Sequence, residues 1–228
     1  MMARNSTRER PRVVGVIRSR ADLERAIRMR RPPDLFELRL DRLAGIIDEL
    51  ENVLPQLRTA LIITARHPDE GGAGRLRVRQ RRELFARFLD HADYVDVELR
   101  SVPALRDLLK QAENKKIRRI ISLHNFKSTP SKRILAAKAR KAKSLGADIF
   151  KVATRAETPM DLARLVDFTT SNRLDFTLAV MGIGKLGAIS RVLLARAGSV
   201  LVYASIGPES DVEGQLSLEQ LHALGFRP

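Results

Sequence analysis

Cysteine is absent from this 228-residue chain, which removes disulfides, thiolate metal ligands and a cysteine nucleophile from consideration. Histidine is scarce: its four positions are 67, 91, 124 and 222, and no spacing matches a metal-binding motif such as H-E-x-x-H, so we predict no metal centre. No apolar run approaches the roughly 18 residues of a membrane span, and the Arg-rich start lacks the apolar core of a secretory signal. We therefore predict a cytoplasmic protein with no membrane partner.

Aromatic residues are also few, at 4% of the chain, whereas the net charge is +15. A charge of this size suggests nucleic-acid binding. However, the Lys and Arg residues are spread over the whole sequence, and so few aromatic rings make a platform for base stacking implausible. We predict that nucleic acid is not the primary partner, and that an anionic small molecule or an Arg-rich surface explains the charge.

Short apolar runs alternate with amphipathic segments along the chain, which is typical of a parallel sheet with helical crossovers. The pattern predicts eight such strand and helix pairs in one domain, residues 1–228, with a disordered basic segment at residues 1–11. Eight pairs in this length indicate a single (β/α)8 TIM barrel. A doubly wound sheet is the alternative, since alternation alone does not distinguish the two.

The predicted fifth and sixth strands deliver two reactive side chains. The run Ile120–Leu123 ends at His124, and the run Asp148–Phe150 ends at Lys151. A right-handed crossover places both strand ends on one face, so an imidazole and an amine can meet there. A buried lysine that has lost its proton can attack a carbonyl, and a histidine can carry protons near neutral pH. A structural histidine bonded to a carbonyl is the alternative interpretation of His124.

Three further patterns in the sequence bear on the fold or on a site. Glu37, Arg39 and Asp41 alternate along the second predicted strand, so all three point to one side of it. The sequence from Gly182 to Gly187 matches G-x-G-x-x-G, but it follows the seventh strand and not an opening βαβ unit, which argues against a dinucleotide site. The dipeptides at 129–130 and 158–159, both Thr-Pro, each predict a helix start.

Taken together in sequence order, these residues resemble the type I 3-dehydroquinate dehydratases of the shikimate pathway. The resemblance covers most of the chain and rests on seven short motifs. They are Glu37-Leu-Arg39-Leu-Asp41, Arg66 to Gly72, Ser122 to Phe126 with Thr129-Pro130, Lys151-Val-Ala153, Met181 to Arg191, Tyr203 to Gly207, and Gly214-Gln215.

The resemblance implies a (β/α)8 barrel that uses no cofactor and converts 3-dehydroquinate to 3-dehydroshikimate. It implies that Lys151 forms an imine with the substrate ketone, that His124 acts as general acid and base, and that Glu70 orients His124. It also implies that Arg191 binds the substrate carboxylate. The other substrate-binding residues by this resemblance are Glu37, Arg39, Arg66, Ser210 and Gln215.

The chain departs from the family in two places. Relatives usually carry Ser-Ala-Pro-Gly-Gln before the last helix, whereas Ser210 to Gln215 is one residue longer and has no proline. An N-terminal hairpin of many relatives is also missing, so the expected homodimer could form through different contacts. Two alternatives are an inactive basic barrel that binds nucleic acid and another Schiff-base lyase or aldolase. The aldolase gives no reason for Glu37, Arg191 and Gln215.

Overall fold

The computed structural model describes residues 10–171, 176–208 and 210–227. Most of the segment predicted to be disordered, residues 1–9, lies outside the described residues, as do residues 174 and 175 at the start of the seventh predicted strand. Arg10 is described, and its guanidinium binds both carboxylate oxygens of Asp34 at 2.6 and 2.9 Å. Within these ranges no helix is long and apolar enough to cross a membrane.

Eight parallel strands form one sheet that curls into a nearly closed barrel, so the predicted (β/α)8 fold is confirmed. The first strand pairs with both the second and the last, which an open doubly wound sheet would not do. The strands are β1 (Arg12–Ile17), β2 (Leu35–Arg39), β3 (Ala60–Thr64), β4 (Tyr94–Glu98), β5 (Arg118–Asn125), β6 (Ile149–Arg155), β7 (Thr177–Ile183) and β8 (Leu201–Ser205).

A helix follows each strand. The helices are α1 (Arg20–Arg28), α2 (Ile47–Val53), α3 (Val78–Phe88), α4 (Arg106–Asn114), α5 (Lys132–Ser144), α6 (Pro159–Thr170), α7 (Gly187–Ala197) and α8 (Leu218–Ala223). The segment predicted as one helix over residues 43–57 is instead α2 flanked by two short 3-10 helices. Pro55 lies in the second of these, and its missing N–H and the clash of its ring with the carbonyl four residues earlier do not allow a regular α-helix to continue there.

One predicted helix start is right and the other is wrong. Thr158 caps α6 by accepting a hydrogen bond from the Asp161 amide, with Pro159 in the first turn. Helix α5 begins two residues later than predicted, because Ser131 and not Thr129 is its N-cap. The Thr129 hydroxyl is buried and bonds to the Thr154 hydroxyl and to the Arg155 carbonyl. It therefore ties the β5–α5 loop to strand β6.

Two apolar clusters account for the alternation in the strands. One lies inside the barrel and includes Val14, Leu35 and Ile120, whereas the other lies between the strands and the helices and includes Phe36, Ile121 and Phe150. Successive side chains of a strand point to opposite faces, so neighbours along the chain fall into different clusters. The strands are consequently buried on both faces, and a polar side chain that points inward needs a partner.

Candidate active site

A cavity of about 220 Å³ opens at the carboxyl ends of the strands. This is the face on which barrels of this kind carry their sites, since the loops that follow the strands converge there. Every predicted catalytic residue lines the cavity, and so do all the predicted substrate-binding residues except Ser210. They are Lys151, His124, Glu70, Glu37, Arg39, Arg66, Arg191 and Gln215.

Lys151 is the third residue of β6, not a residue beyond its end, and its side chain is buried inside the barrel. Its ammonium nitrogen Nζ lies 2.9 Å from Oδ2 of Asp96 and 3.3 Å from Oε1 of Glu37. The same nitrogen lies 4.0 Å from the centroid of the Tyr203 ring. Nζ donates a hydrogen bond to each carboxylate, and together the two carboxylates hold the nitrogen in a fixed position.

A network of buried charges on strand β4 and in the segment after β3, together with a hydroxyl on β5, supports this lysine. The Arg66 guanidinium binds both oxygens of Asp96 at 2.9 Å and donates to the Ser122 hydroxyl at 2.7 Å. Burial by itself would lower the pKa of Arg66, but Asp96 and Glu98 raise it well above its usual value. Burial would raise the pKa of Asp96, but Arg66 and Lys151 hold it well below its usual value. Asp96 thus remains ionised between two cations.

His124 and Glu70 form a second pair at the wall of the cavity. Oε2 of Glu70 lies 3.0 Å from Nδ1 of His124 and accepts a hydrogen bond from the His124 amide at 2.9 Å. Burial, together with the charges of Arg66 and Lys151, holds the pKa of His124 well below its usual value. The imidazole is therefore neutral near pH 7. Since Nδ1 is held by Glu70, Nε2 is the nitrogen that remains available to a bound molecule.

Burial raises the pKa of Glu70 from 4.5 to about 7, against the hydrogen bond from the His124 amide, which lowers it, and with a smaller increase from nearby Glu98. A proton shared by this pair therefore resides on Glu70 more readily than on His124. The 3-10 helix Pro68–Glu70 positions the carboxylate, and Gly71 ends it with a positive φ of 84°. A Cβ at Gly72 would lie 2.3 Å from the Arg66 carbonyl oxygen, which explains the glycine pair.

Arg191 lies at the seam between β7 and β8, which is where the hydrogen-bonded ladder of the sheet is open. Its Nε donates to the carbonyl of Tyr203 in β8, and its Nη1 donates to the carbonyls of Gly182 in β7, Gly187 and Gly214. No ion pair joins this guanidinium to a carboxylate within the described ranges, and burial lowers its pKa to about 10. A buried cation without a counterion is a binding position for an anionic group.

The three charges of the second strand separate in the structure. Glu37 points into the barrel, where its Oε1 also accepts a hydrogen bond from the Thr64 hydroxyl at 2.9 Å. Arg39 and Asp41 instead bind each other, at 2.8 and 3.0 Å, at the rim. Burial would raise the pKa of Asp41, but Arg39 and the amides of residues 66 and 73 lower it overall. Arg39 also donates to the Gly71 carbonyl at 3.0 Å and so anchors the loop that carries Glu70.

The segment after β8, residues 210–216, covers one side of the cavity, and we call it the lid. The Ser210 hydroxyl donates to Oε1 of Gln215 at 2.7 Å and does not line the cavity. Asp211 does line it, and forms ion pairs with Arg18 and Arg42. The lid also docks on the turn before α7, since the Gly184 amide donates to the Glu213 carbonyl at 3.0 Å.

Several residues at the site were not identified from the sequence. Asp96, which contacts both Lys151 and Arg66, is the most important. The Ser122 hydroxyl donates a hydrogen bond to Asp96 and accepts one from Arg66. The signal was present in β4, where Asp96 and Glu98 alternate and so share one face of the strand. Arg18, Arg42 and Asp211 gave no signal, because only the folded chain brings them together.

No group of three or more acidic, histidine or cysteine side chains in the described part of the chain is arranged to hold a metal ion. The polar groups of the cavity are a lysine, a neutral histidine, carboxylates and guanidinium groups. Such a set can form a covalent bond to a carbonyl carbon, move protons and bind a carboxylate.

Comparison with known proteins gives the same family in sequence and in structure. Residues 14–225 match the family model described as type I 3-dehydroquinase. The 3-dehydroquinate dehydratase of Thermodesulfovibrio yellowstonii is 33% identical over 193 residues, 82% of each chain, and that of Pyrococcus abyssi is 35% identical over 196 residues, 84% of this chain and 86% of that relative.

Two solved structures are similar over nearly the whole chain. The 3-dehydroquinate dehydratase of Geobacillus kaustophilus has a TM-score of 0.83 at 29% identity and covers 94% of this chain and 89% of its own. The type I 3-dehydroquinate dehydratase of Clostridium difficile, solved with covalently modified comenic acid, has a TM-score of 0.83 at 25% identity and covers 94% and 90%. The chain therefore belongs to the type I 3-dehydroquinase family.

Proposed function

We propose that this protein dehydrates 3-dehydroquinate to 3-dehydroshikimate through an imine on Lys151, with His124 as general acid and base. The observation that carries the proposal is that a buried lysine and a neutral histidine line the same cavity. The names of the relatives support the reaction, and the covalently modified ligand of the Clostridium difficile relative supports covalent chemistry in this family.

Imine formation begins when the Lys151 ammonium loses a proton and the free amine attacks the substrate ketone. The new C–N bond forms as the carbonyl oxygen gains protons and leaves as water. Asp96 and Glu37 lie 2.9 and 3.3 Å from Nζ, so they hold the nitrogen in place before it attacks. The resulting iminium ion is positively charged and withdraws electrons from the adjacent carbon.

His124 then removes a proton from that adjacent carbon, because its imidazole is neutral and its Nε2 is available. The electron pair left behind forms a C=C bond to the iminium carbon, which gives a neutral enamine. The enamine then expels the hydroxyl one carbon further along, which takes the proton from His124 and leaves as water, and the iminium is restored. Hydrolysis of the iminium releases the product and restores the lysine. Glu70 fixes the imidazole orientation through Nδ1 during these transfers.

The guanidinium groups and the lid orient the substrate. Arg191 is buried without a counterion among the described residues and presents a planar donor to the substrate carboxylate. Arg39 forms an ion pair with Asp41, and Arg66 forms one with Asp96. These two arginines therefore position the carboxylates of the pocket. Glu37 and Gln215 line the cavity with groups that can bind the ring hydroxyls, and Ser210 acts by holding Gln215.

Borohydride reduction in the presence of 3-dehydroquinate tests the covalent step. Reduction of an imine should add the mass of the reduced ligand to one peptide, the one that contains Lys151. We expect Lys151→Ala to abolish both the adduct and turnover, and His124→Ala to slow turnover by at least about 100-fold while the adduct still forms. Turnover is followed by the ultraviolet absorbance of the conjugated product.

Lys127→Ala is the matched control, because Lys127 lies exposed in the loop after β5 and outside the cavity. Its adduct and turnover should equal those of the unmodified protein. Full activity without any adduct would sink the imine mechanism. Equal and merely modest losses in the Lys151 and His124 variants would contradict the assigned roles. The homodimer and the cytoplasmic location stay predictions, and sedimentation of the purified protein tests the first.

A further inference from the structure

The Tyr203 ring makes an unusual contact with the reacting nitrogen. Its centroid lies 4.0 Å from Nζ of Lys151, well within the roughly 6 Å over which a cation is attracted to an aromatic face. Both residues are buried, with exposed fractions of 3% for Tyr203 and 4% for Lys151. Such an attraction is strongest where water is excluded, since water otherwise screens the charge.

The Tyr203 hydroxyl contributes little that a binding partner could use. It is buried and has no hydrogen-bond partner among the residues that the structure describes. Burial, and then the charges of Glu37 and Asp96, raises the pKa of Tyr203 well above its usual value, so the hydroxyl remains neutral. An unpaired buried hydroxyl is unfavourable for folding. The face of the ring, not the hydroxyl, is therefore the part of this side chain that contacts the site.

The number of N–H groups on the lysine nitrogen changes during the proposed reaction, but its charge does not. An ammonium ion and a ketone give a protonated iminium and one water, so the positive charge before and after is the same. The ammonium carries three N–H groups, which can reach Asp96, Glu37 and a third neighbour. The iminium carries one, so it can keep a direct hydrogen bond to only one of the two carboxylates.

We propose that the ring face of Tyr203 stabilises the cationic iminium on Lys151, as a catalytic residue of the Schiff-base step. Attraction to an aromatic face requires no N–H group, so it persists when two N–H groups are lost. It stabilises the iminium more than the ammonium, because hydrogen bonds to two carboxylates also neutralise the ammonium charge, whereas only one such bond remains for the iminium. The ring thereby maintains the protonated, electron-withdrawing form of the imine in which the adjacent carbon becomes acidic. This role rests on the proposed imine mechanism.

The test measures the imine population in variants of position 203. Each protein is mixed with saturating 3-dehydroquinate, reduced with borohydride and weighed intact, which gives the fraction of chains carrying the adduct. Tyr203→Phe retains the ring face and should preserve the imine population within about twofold. Tyr203→Leu removes the face and should lower the imine equilibrium constant and kcat by about tenfold or more, with a smaller change in KM.

A second series covers the possibility that Tyr203→Leu fails to fold. Phenylalanines with one, two and three fluorine atoms at position 203 preserve the ring shape but progressively weaken its negative face. We expect the logarithm of the imine equilibrium constant to fall steadily with each fluorine, at an unchanged melting temperature. A steady fall identifies an electrostatic contact, because packing alone does not change along this series.

The outcomes separate the two proposals. If the unmodified protein turns over substrate without any adduct, the imine mechanism fails and the role of Tyr203 fails with it. If the adduct forms equally well in the unmodified protein, the leucine variant and the fluorinated series, the imine stands and the role of the ring is wrong. If Tyr203→Phe loses as much as Tyr203→Leu, the hydroxyl and not the ring face is responsible, which also overturns the inference.

Discussion

At the scale of single residues, Glu70 shows how an active-site group lowers the stability of the fold. Its pKa rises from 4.5 in an unfolded chain to about 7 in the folded protein, chiefly through burial. A raised carboxyl pKa means that the folded state holds this proton more tightly. The stabilisation is fully present below pH 4.5 and is lost as the pH rises through about 7. Above that, the ionised carboxylate costs about 3 kcal/mol.

We therefore expect Glu70→Gln to raise the free energy of unfolding at pH 8.5 by about 1–3 kcal/mol and to change it little at pH 4.5, because glutamine resembles the neutral acid. Activity should fall, since the amide no longer carries the charge that orients His124. Denaturant unfolding at the two pH values measures the difference, and the contribution of His124 cancels between the two proteins.

Glu83→Gln is the control, since Glu83 is exposed and pairs with Arg79 on the same helix. It should show no comparable pH dependence. If Glu70→Gln changes the free energy of unfolding by the same amount at pH 4.5 and at pH 8.5, the proposed ionisation of Glu70 is contradicted.

Arg191 serves two purposes that a lysine cannot combine. Its guanidinium donates to four carbonyls, those of Tyr203, Gly182, Gly187 and Gly214, and so joins both strands of the open seam. We expect Arg191→Lys to lower the free energy of unfolding by about 2–4 kcal/mol, because several buried carbonyls lose their donors. KM should rise at least about tenfold, because the planar two-pronged donor is lost. Denaturant unfolding and steady-state kinetics measure the two effects.

Arg196→Lys is the matched control in the same helix, where Arg196 is exposed and lies over the Phe226 ring. Its stability should change by less than about 1 kcal/mol, with unaltered KM. If Arg191→Lys raises KM without loss of stability, Arg191 binds substrate but does not stabilise the seam. If it loses stability at unaltered KM, Arg191 stabilises the seam but does not bind substrate.

At the scale of elements, the lid is held by charge as well as by the backbone. Asp211 bridges Arg18 after β1 and Arg42 after β2, while Gly214 packs against Gly187 at the start of α7. A Cβ on Gly214 would lie 2.7 Å from the Gly187 Cα, so this close approach requires glycine. The lid, which is one residue longer than in relatives and lacks their proline, therefore carries an acidic side chain, Asp211, that binds two arginines of the neighbouring loops.

We expect Asp211→Asn to raise KM by about two- to fivefold with little change in kcat, as partly exposed ion pairs contribute on the order of 0.5–1 kcal/mol. The effect should shrink in high salt, which weakens the same ion pairs in the unmodified protein. Glu219→Gln is the control, since Glu219 is an exposed residue of α8. A decrease in KM would instead mean that Asp211 competes with the substrate carboxylate for the two arginines.

At the scale of the whole molecule, the net charge of +15 favours encounter with an anionic substrate. We expect kcat/KM to decrease several-fold between about 0.01 M and about 0.15 M monovalent salt, as the Debye length shortens from roughly 30 to 8 Å. Initial rates at constant pH measure this, and unfolding in the same salts controls for stability. Steeply salt-dependent DNA binding without turnover would favour the nucleic-acid alternative instead.

Local sequence determined most of the elements and the identity of the two residues that we propose to react. The sequence predicts the first strand at residues 12–17 and the seventh helix at about residues 187–197, and β1 and α7 have these bounds. A continuous apolar run and a segment bounded by two glycines are local signals. His124 and Lys151 were found because each follows an apolar run on neighbouring strands, and the structure brings both to one cavity. The prediction that Thr129 caps α5 is wrong, because Ser131, two residues further along, caps the helix instead.

Only the tertiary structure determined what surrounds the reacting nitrogen. Asp96 and Tyr203 contact Lys151 from strands that are far away in sequence, and the barrel register decides which side chains lie at the same level. Neutral His124 and the raised pKa of Glu70 likewise follow from burial, which no local pattern encodes. Only the pairing of β1 with β8 showed that the sheet closes into a barrel. The sequence by itself determined the eight strand and helix pairs and the proposed reactive groups, since these depend on periodicity and residue type. Folding determined their electrostatics, because charges interact through distance and exclusion of water.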